Sequence, residues 1–177
     1  MTIIAAADGS ALGNPGPSGW AWYVDDSCWA AGGWPHGTNN QAELTAVLDV
    51  LQQTAHLDDD LLLYCDSTYV INSVTKWMAG WKRRGWRKGD GKPVLNVEIM
   101  RALDAAMTGR RVDFAWVKGH SGHPLNEAAD RLANAAAASW KVRVPPATGP
   151  GVTGAPLRQP LPRAAATAIE PDLFNGL

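Results

Sequence analysis

Four acidic residues stand out for where they fall in the chain. Asp8 follows the apolar run "TIIAAA" and Asp66 follows "LLLYC". Glu43 lies in an amphipathic stretch beginning at Asn39, and Asp130 in an alanine-rich stretch after His123. Open sheets place ligand sites beyond the ends of their strands, so Asp8 and Asp66 belong where a site would form. Any one of these acids alone reads as a cap or a solvated charge. Four that converge would repel one another and be costly to desolvate. A hard divalent cation is the usual remedy, and oxygen-only ligands favour Mg²⁺ or Mn²⁺ over zinc. The segment "WVKGHSGHPLNEAAD", 116–130, adds His120 and His123 on a glycine-bearing loop. A loop histidine can shuttle protons near neutral pH. The two histidines have no further soft ligands nearby, so a zinc pair is not expected.

The elements that must position these residues follow from periodicity. "TIIAAAD" reads as a short buried strand ending on Asp8. "SGWAWYVDD" and "SCWAAGGW" read as two more strands, with a turn at Asp25–Ser27. Leu44, Val47, Leu48, Leu51 and Ala55 recur at helical spacing, and Thr38 or Asn39 is the expected N-cap. "LLLYCD" is a further strand, and "STYVINSV" opens a helix. Leu95, Ile99, Leu103 and Ala106 mark another helix, closed by Gly109. "RVDFAWV" alternates like a strand. The last helix carries Pro124 near its start and Leu125, Ala128, Leu132 and Ala135 on one face. Three strands that can form a meander precede strands separated by helices, which predicts an α/β mixed sheet with helices packed on it.

Length and composition set the frame. The chain has 177 residues, of which 46% are hydrophobic, enough for one domain with a real core. No apolar stretch reaches the roughly 18 residues that would span a bilayer, and no membrane partner is expected. No basic region precedes the apolar start, so no signal peptide is expected. Cys28 and Cys65 are the two cysteines, which fits a reducing, cytoplasmic setting better than a disulfide framework. The net charge of −1 hides an asymmetry. Residues 76–92, "KWMAGWKRRGWRKGDGK", place seven Lys and Arg against a single Asp. Such a patch on an otherwise acidic chain points to a polyanion contact. Seven of the 12 prolines lie after residue 140, without periodicity, so residues 1–140 read as a domain and 141–177 as a disordered tail. The end of that tail, "EPDLFNGL", could dock on a protein partner. No heptad is present, and a monomer is expected.

Taken in order, "DGSALGNPGP", "TNNQAEL", "YCDSTYV", "WKRRGW" and "WVKGHSGHPLNEAAD" resemble the bacterial type 1 ribonuclease H family, from about Ile3 to Ala138. Each block is weak alone; all five in order are specific. The resemblance implies a ribonuclease H-like fold, with a five-stranded mixed sheet of an antiparallel meander plus parallel strands. It implies an endonuclease that cuts the RNA strand of RNA–DNA hybrids with two Mg²⁺ ions, for which Mn²⁺ is a possible substitute, leaving 5′-phosphate and 3′-hydroxyl ends. Primer and R-loop removal would be its cellular use. Asp8, Glu43, Asp66 and Asp130 are the implied metal ligands, with Asp8 bridging, and His120 the implied mobile histidine.

The resemblance also implies substrate contacts. Asn14 and Asn39 would read the 2′-hydroxyl of the RNA strand, and Thr38 would hold a phosphate of the DNA strand. Trp77, Trp81, Lys82, Arg83, Arg84, Trp86, Arg87 and Lys88 would form a hybrid-gripping protrusion. Trp77 and Trp81, at i and i+4, fit a helix core equally well, and the charges fit a solvated face. Two positions depart from the family pattern. Ala11 stands where bacterial relatives commonly carry cysteine, and Thr68 stands where many carry glutamine; Thr68 is short for a contact to the RNA strand. Two rival readings remain from the residues: an inactive module that binds a hybrid or duplex, or another two-metal nuclease of the same superfamily.

Overall fold

The computed structural model describes residues 1–152 and 158–159. Three strands, β1 (Thr2–Ala11), β2 (Gly16–Asp25) and β3 (Cys28–Gly37), form the antiparallel meander. Strands β4 (Asp60–Cys65) and β5 (Val112–Trp116) add in parallel on the other side of β1. The order is β3-β2-β1-β4-β5, and β1 is central. A two-residue strand β6 (Arg158–Gln159) pairs with Thr2 and Ile3 at the start of β1, ahead of the first β2 pair at Ala6. This is the mixed sheet expected from the sequence.

Two-residue alternation splits the core between the faces of the sheet. Ile3, Ala5, Ala7, Leu61 and Leu63 pack with Leu44, Val47, Val50 and Leu51 of helix α1 (Asn39–Gln53). Met100 and Leu103 of helix α4 (Val97–Met107) join that cluster. The opposite face carries Ile4, Leu62 and Ala115, and Ala21 and Ala31, covered by helix α5 (Pro124–Lys141). Helix α5 lies close because its buried side is alanine and because β2 presents Gly19, where a Cβ would strike the carbonyl of Ala133. Thr38 caps α1: its hydroxyl accepts from Gln41 N–H and the Gln41 side chain accepts from Thr38 N–H. Between β4 and α4 run α2 (Thr68–Asn72), a π-helical turn Ser73–Trp77 and α3 (Met78–Arg83).

Four expectations are adjusted. Asp8 does not end β1: the strand continues to Ala11 because its hairpin pairing with β2 continues, whereas the parallel ladder to β4 stops at Ala6–Tyr64. Leu95 is 67% exposed and precedes α4, so the buried positions there are Met100 and Leu103. In α5 the buried positions are Asn126, Ala128, Ala129, Ala133, Ala136 and Ala137, while Ala135 is exposed. An alanine-rich helix hides its own face, since most positions are equally small. Lastly, part of the stretch read as tail is hydrogen-bonded to the sheet. Ala31 N–H donates to Thr148 O (3.1 Å) and Gly151 N–H donates to Trp29 O (2.9 Å) along the open edge of β3. The "EPDLFNGL" segment lies outside the described residues.

Candidate active site

The acids gather where the sheet splits. Beyond Ala6–Tyr64, β4 leaves β1, and the alternation puts Asp8 and Asp66 on the face that α5 covers. Asp8 is buried. At Gly9 the sheet has no side chain, and a Cβ there would collide with the backbone nitrogen of Glu43. That close approach of α1 delivers Glu43. Ligand oxygens of Asp8, Glu43 and Asp66 all lie within 4.8 Å of one another. Asp130 projects from the α5 side, near enough that its charge opposes ionisation of both Asp8 and Asp66.

The cluster is electrostatically stressed. Burial, then the charge of Asp66, pushes the Asp8 carboxyl up to about 8, against a stabilising hydrogen bond from Gly9 N–H to Oδ1 (2.8 Å). Burial and the neighbouring Asp8 raise Glu43 well above the ordinary carboxylate range. Burial and Asp130 raise Asp66, while His120 and the Asn126 side chain pull it back. Asp8 Oδ2 is buried and receives no donor among the described residues, apart from the Glu43 carboxyl, which lies close enough to share a proton with Asp8. Such a buried carboxylate oxygen, beside two more carboxylates and no basic side chain in the set, fits a hard divalent cation.

The loop from β5 to α5 completes the site. His120 is exposed, has a left-handed φ of 56°, and is near enough to Asp66 for its charge to act there. His123 does something different. Its Nδ1 accepts from Asn126 N–H (3.3 Å) as the N-cap of α5, and its ring lies against Tyr64, tilted by 54° with centroids 4.5 Å apart. Capping and a ring contact engage this histidine.

The remaining sequence candidates fall into two groups. Asn14 and Asn39 meet: Asn39 N–H donates to Asn14 Oδ1 (3.2 Å). Thr38 sits beside them as the α1 cap, and Thr68 is the exposed first residue of α2. The basic segment, the candidate projection, starts in the π-helical turn and α3 and runs on through turns to residue 92. Trp77 is 43% exposed and lies 6.4 Å from Tyr69 and 5.9 Å from Trp81, centroid to centroid. Trp81 and Trp86 are partly buried against the core. Lys82 pairs with Asp104 (2.9 Å), Arg84 Nε donates to Arg87 O (3.3 Å), and Arg87 donates to Gly91 O (2.9 Å). Arg83 is exposed and Lys88 partly so.

Sequence reasoning passed over three residues that shape the site. Asn126 is 2% exposed and four residues before Asp130, hence on the same helical face, a spacing readable from the sequence. Gly119 lies against Asp66: a Cβ there would sit 2.8 Å from Oδ2. Trp116 donates its indole N–H to the Asp66 carbonyl (3.1 Å). Neither of the last two has a signal in spacing alone.

Comparison with known proteins agrees with this geometry. The RNase H family model matches residues 2–138. A ribonuclease H of Tropheryma whipplei (strain Twist) is 58% identical over 151 residues, covering 85% of this chain and 94% of that protein. Ribonuclease HI of Caulobacter vibrioides is 44% identical over 135 residues, covering 75% of this chain and 90% of that one. Among solved structures, LC9-RNase H1, described as a type 1 RNase H with the type 2 active-site motif, superposes with a TM-score of 0.69 at 26% identity. It covers 88% of this chain and 79% of its own. The N-terminal RNase H domain of rv2228c from Mycobacterium tuberculosis gives 0.61 at 25% identity, covering 80% and 97%. With that match running from the first residue of β1 into α5, the chain belongs to the RNase H family.

Proposed function

We propose that the protein is an endonuclease that hydrolyses the RNA strand of RNA–DNA hybrids, leaving 5′-phosphate and 3′-hydroxyl ends. The observation that carries this reading is the convergence of Asp8, Glu43 and Asp66 within 4.8 Å, with a buried oxygen of Asp8 that has no donor but the Glu43 carboxyl. Relatives that share most of the chain are named ribonuclease H. Asp8, Glu43, Asp66 and Asp130 would hold two Mg²⁺ ions, or Mn²⁺ in their place. Bound there, divalent ions lower the pKa of a water and stabilise the developing charge on the leaving oxygen.

The chain's own residues do the rest. The packing of Gly9 against α1 fixes Glu43 over β1, so the ligand set is assembled before substrate arrives. His120, exposed on its loop, takes or gives a proton at its imidazole as the leaving group departs. Asn14 and Asn39, already linked, face the RNA backbone and read the 2′-hydroxyl, the chemical mark of RNA. Thr38 and the α1 N-terminus hold a DNA phosphate. The projection carrying Trp77, Arg83 and Lys88 grips the flanking duplex.

The test is a matched set of RNA–DNA, RNA–RNA and DNA–DNA duplexes incubated with Mg²⁺ or with EDTA. Cleavage of only the hybrid's RNA strand, abolished by EDTA, is expected. Binding without cleavage would make the protein an inactive hybrid-binding module. Cleavage of DNA–DNA would make it another kind of two-metal nuclease.

A further inference from the structure

Asp66 is the only member of the acidic quartet outside regular secondary structure: it falls between the end of β4 at Cys65 and the start of α2 at Thr68. A ligand in such a junction has no ladder or helix to fix its backbone. The chain nevertheless ties down the groups around it. Cys65 O accepts from Val117 N–H (3.0 Å), and Ser67 caps α2 by accepting from Val70 N–H (3.2 Å). Between these two anchors lies the Asp66 carbonyl, which accepts from the Trp116 indole N–H (3.1 Å). Trp116 is opposite Cys65 in the parallel β4–β5 ladder, one residue behind the carbonyl it holds. Its side chain is nonetheless 48% exposed, so burial does not explain a tryptophan here. From the other side Gly119, on the same loop, leaves just enough room for the Asp66 carboxylate.

The geometry points to Trp116 as a positioning residue for Asp66: its indole N–H fixes the peptide leaving β4 and thereby sets the direction in which the Asp66 carboxylate enters the acidic cluster. This rests on the reading of that cluster as a metal site. Without this bond the backbone at Asp66, which no ladder or helix holds, is free to shift and to carry its carboxylate away from Asp8 and Glu43. The side chain therefore controls ion affinity without itself touching ion or substrate. Groups that orient a ligand from behind typically matter about 10- to 100-fold in metal affinity. A bond to the ligand's main chain belongs at the low end of that range.

Two variants isolate the N–H. Trp116→Phe keeps an aromatic ring and removes the donor. Replacement of Trp116 by 3-benzothienylalanine keeps the bicyclic shape and removes only the donor, so the idea stays testable if the Phe variant folds poorly. Three quantities are measured: the Mg²⁺ concentration giving half-maximal cleavage at saturating hybrid, the Kd for Mn²⁺ of the free protein by calorimetry, and the Kd for hybrid in EDTA. Both variants should raise the first two by about 10-fold and leave the third unchanged. A benzothienyl protein whose metal responses match the parent protein would overturn the proposal. So would weakened hybrid binding with unaltered metal responses, which would make Trp116 a substrate contact. If the parent protein cleaves no duplex yet both variants weaken Mn²⁺ binding, the proposed activity fails and the positioning role stands.

Discussion

The acidic end of the sheet and the basic projection are both clusters of like charge, yet they are built in opposite ways. At the acidic end the charges are pressed together and taken out of water, and burial raises Asp8, Glu43 and Asp66. Strand register and the bare backbone of Gly9 leave them no freedom to separate. In the projection the charges stand apart and in water, and several are engaged locally: Lys82 with Asp104, Arg87 with the Gly91 carbonyl. Strain from crowding is relieved by protonation, as the raised carboxyls show, or by an ion of opposite sign held at a fixed place. A spread-out surface asks for an extended, screened partner. The first arrangement suits chemistry and the second suits grip, so substitutions should act steeply in one and gradually in the other.

Asp8→Asn tests the steep side most directly. Losing the central carboxylate should lower single-turnover cleavage of a hybrid by at least about 10³-fold, since metal charge stabilisation is worth several kcal/mol. Circular dichroism should show the fold retained. A variant that keeps a tenth of the activity would sink the assignment. Gly9→Ala comes next. Its new methyl meets the backbone of α1, so it should destabilise by about 1–3 kcal/mol and also lower kcat by displacing Glu43. Equal kcat with reduced stability would show that Glu43 is positioned by something other than this contact.

Metal removal should show the same stress without any substrate. An ion at 100 times its Kd stabilises by about 2.7 kcal/mol, which corresponds to a rise of several degrees in Tm for a domain of this size. Mg²⁺ should therefore raise Tm over EDTA, measured by calorimetry. Asp8→Asn should remove most of that response; in EDTA it should leave the Tm near the parent's at pH 7, where a carboxyl raised to about 8 is mostly protonated, and raise it at pH 9, where the parent carries the crowded charge. A lower Tm in EDTA for Asp8→Asn would mean that the carboxylate supports the fold more than it strains it.

How far the sequence reveals these regions depends on what makes each of them. The strands, α1 with its Thr38 cap and the alternation that faces Asp8 and Asp66 alike are local patterns, so they are legible. The four acids are legible as strand-end and helix-face positions, although Asp8 lies inside a hairpin strand whose length depends on pairing with β2. The buried face of α5 is not legible, because alanine serves either side of a helix and the choice is made by Gly19 across the interface. Trp116 and Gly119 are invisible for a related reason: their meaning lies in a contact with Asp66, 50 residues away for Trp116. The stretch after residue 140 misleads in the other direction. Its Pro and Gly content signals disorder, yet the β3 edge offers unpaired backbone groups that Thr148 and Gly151 satisfy.

The projection should respond gently. Replacing Arg83 and Lys88 together by Gln should weaken hybrid binding, raise KM and reduce the slope of log Kd against log salt by roughly one for each phosphate no longer neutralised. The Mg²⁺ titration should not move. A flat salt dependence in the parent protein would leave the projection a solvated face. Trp77→Ala, at the exposed end of the Tyr69–Trp77–Trp81 row, should cost about 1–3 kcal/mol of hybrid affinity if bases or sugars pack on it. Unchanged affinity would make the row a purely internal brace.

The smallest effect on catalysis belongs to the segment lying on β3, on the strand farthest in the sheet order from β5. Val152 N–H donates to Gln53 Oε1 (3.2 Å), and Gln53 donates to Asp49 Oδ2 (2.7 Å). The same Asp49 oxygen accepts from the indole of fully buried Trp22 (2.7 Å). The segment is thus tied through two α1 side chains into the main core, besides its two bonds to β3. Each such bond is worth about 1 kcal/mol net and Val152 also packs on the main core, but ordering the segment costs at least as much per residue, so any net stabilisation is small. Deleting residues 145–177 should lower Tm by a few degrees and leave kcat and the Mg²⁺ titration where they were. Deleting only 160–177 keeps every one of these hydrogen bonds, so the fall in Tm should be smaller than in the longer deletion. A loss of cleavage in the longer deletion would join the two regions contrasted above, by showing that the far edge of the sheet is felt at Asp8.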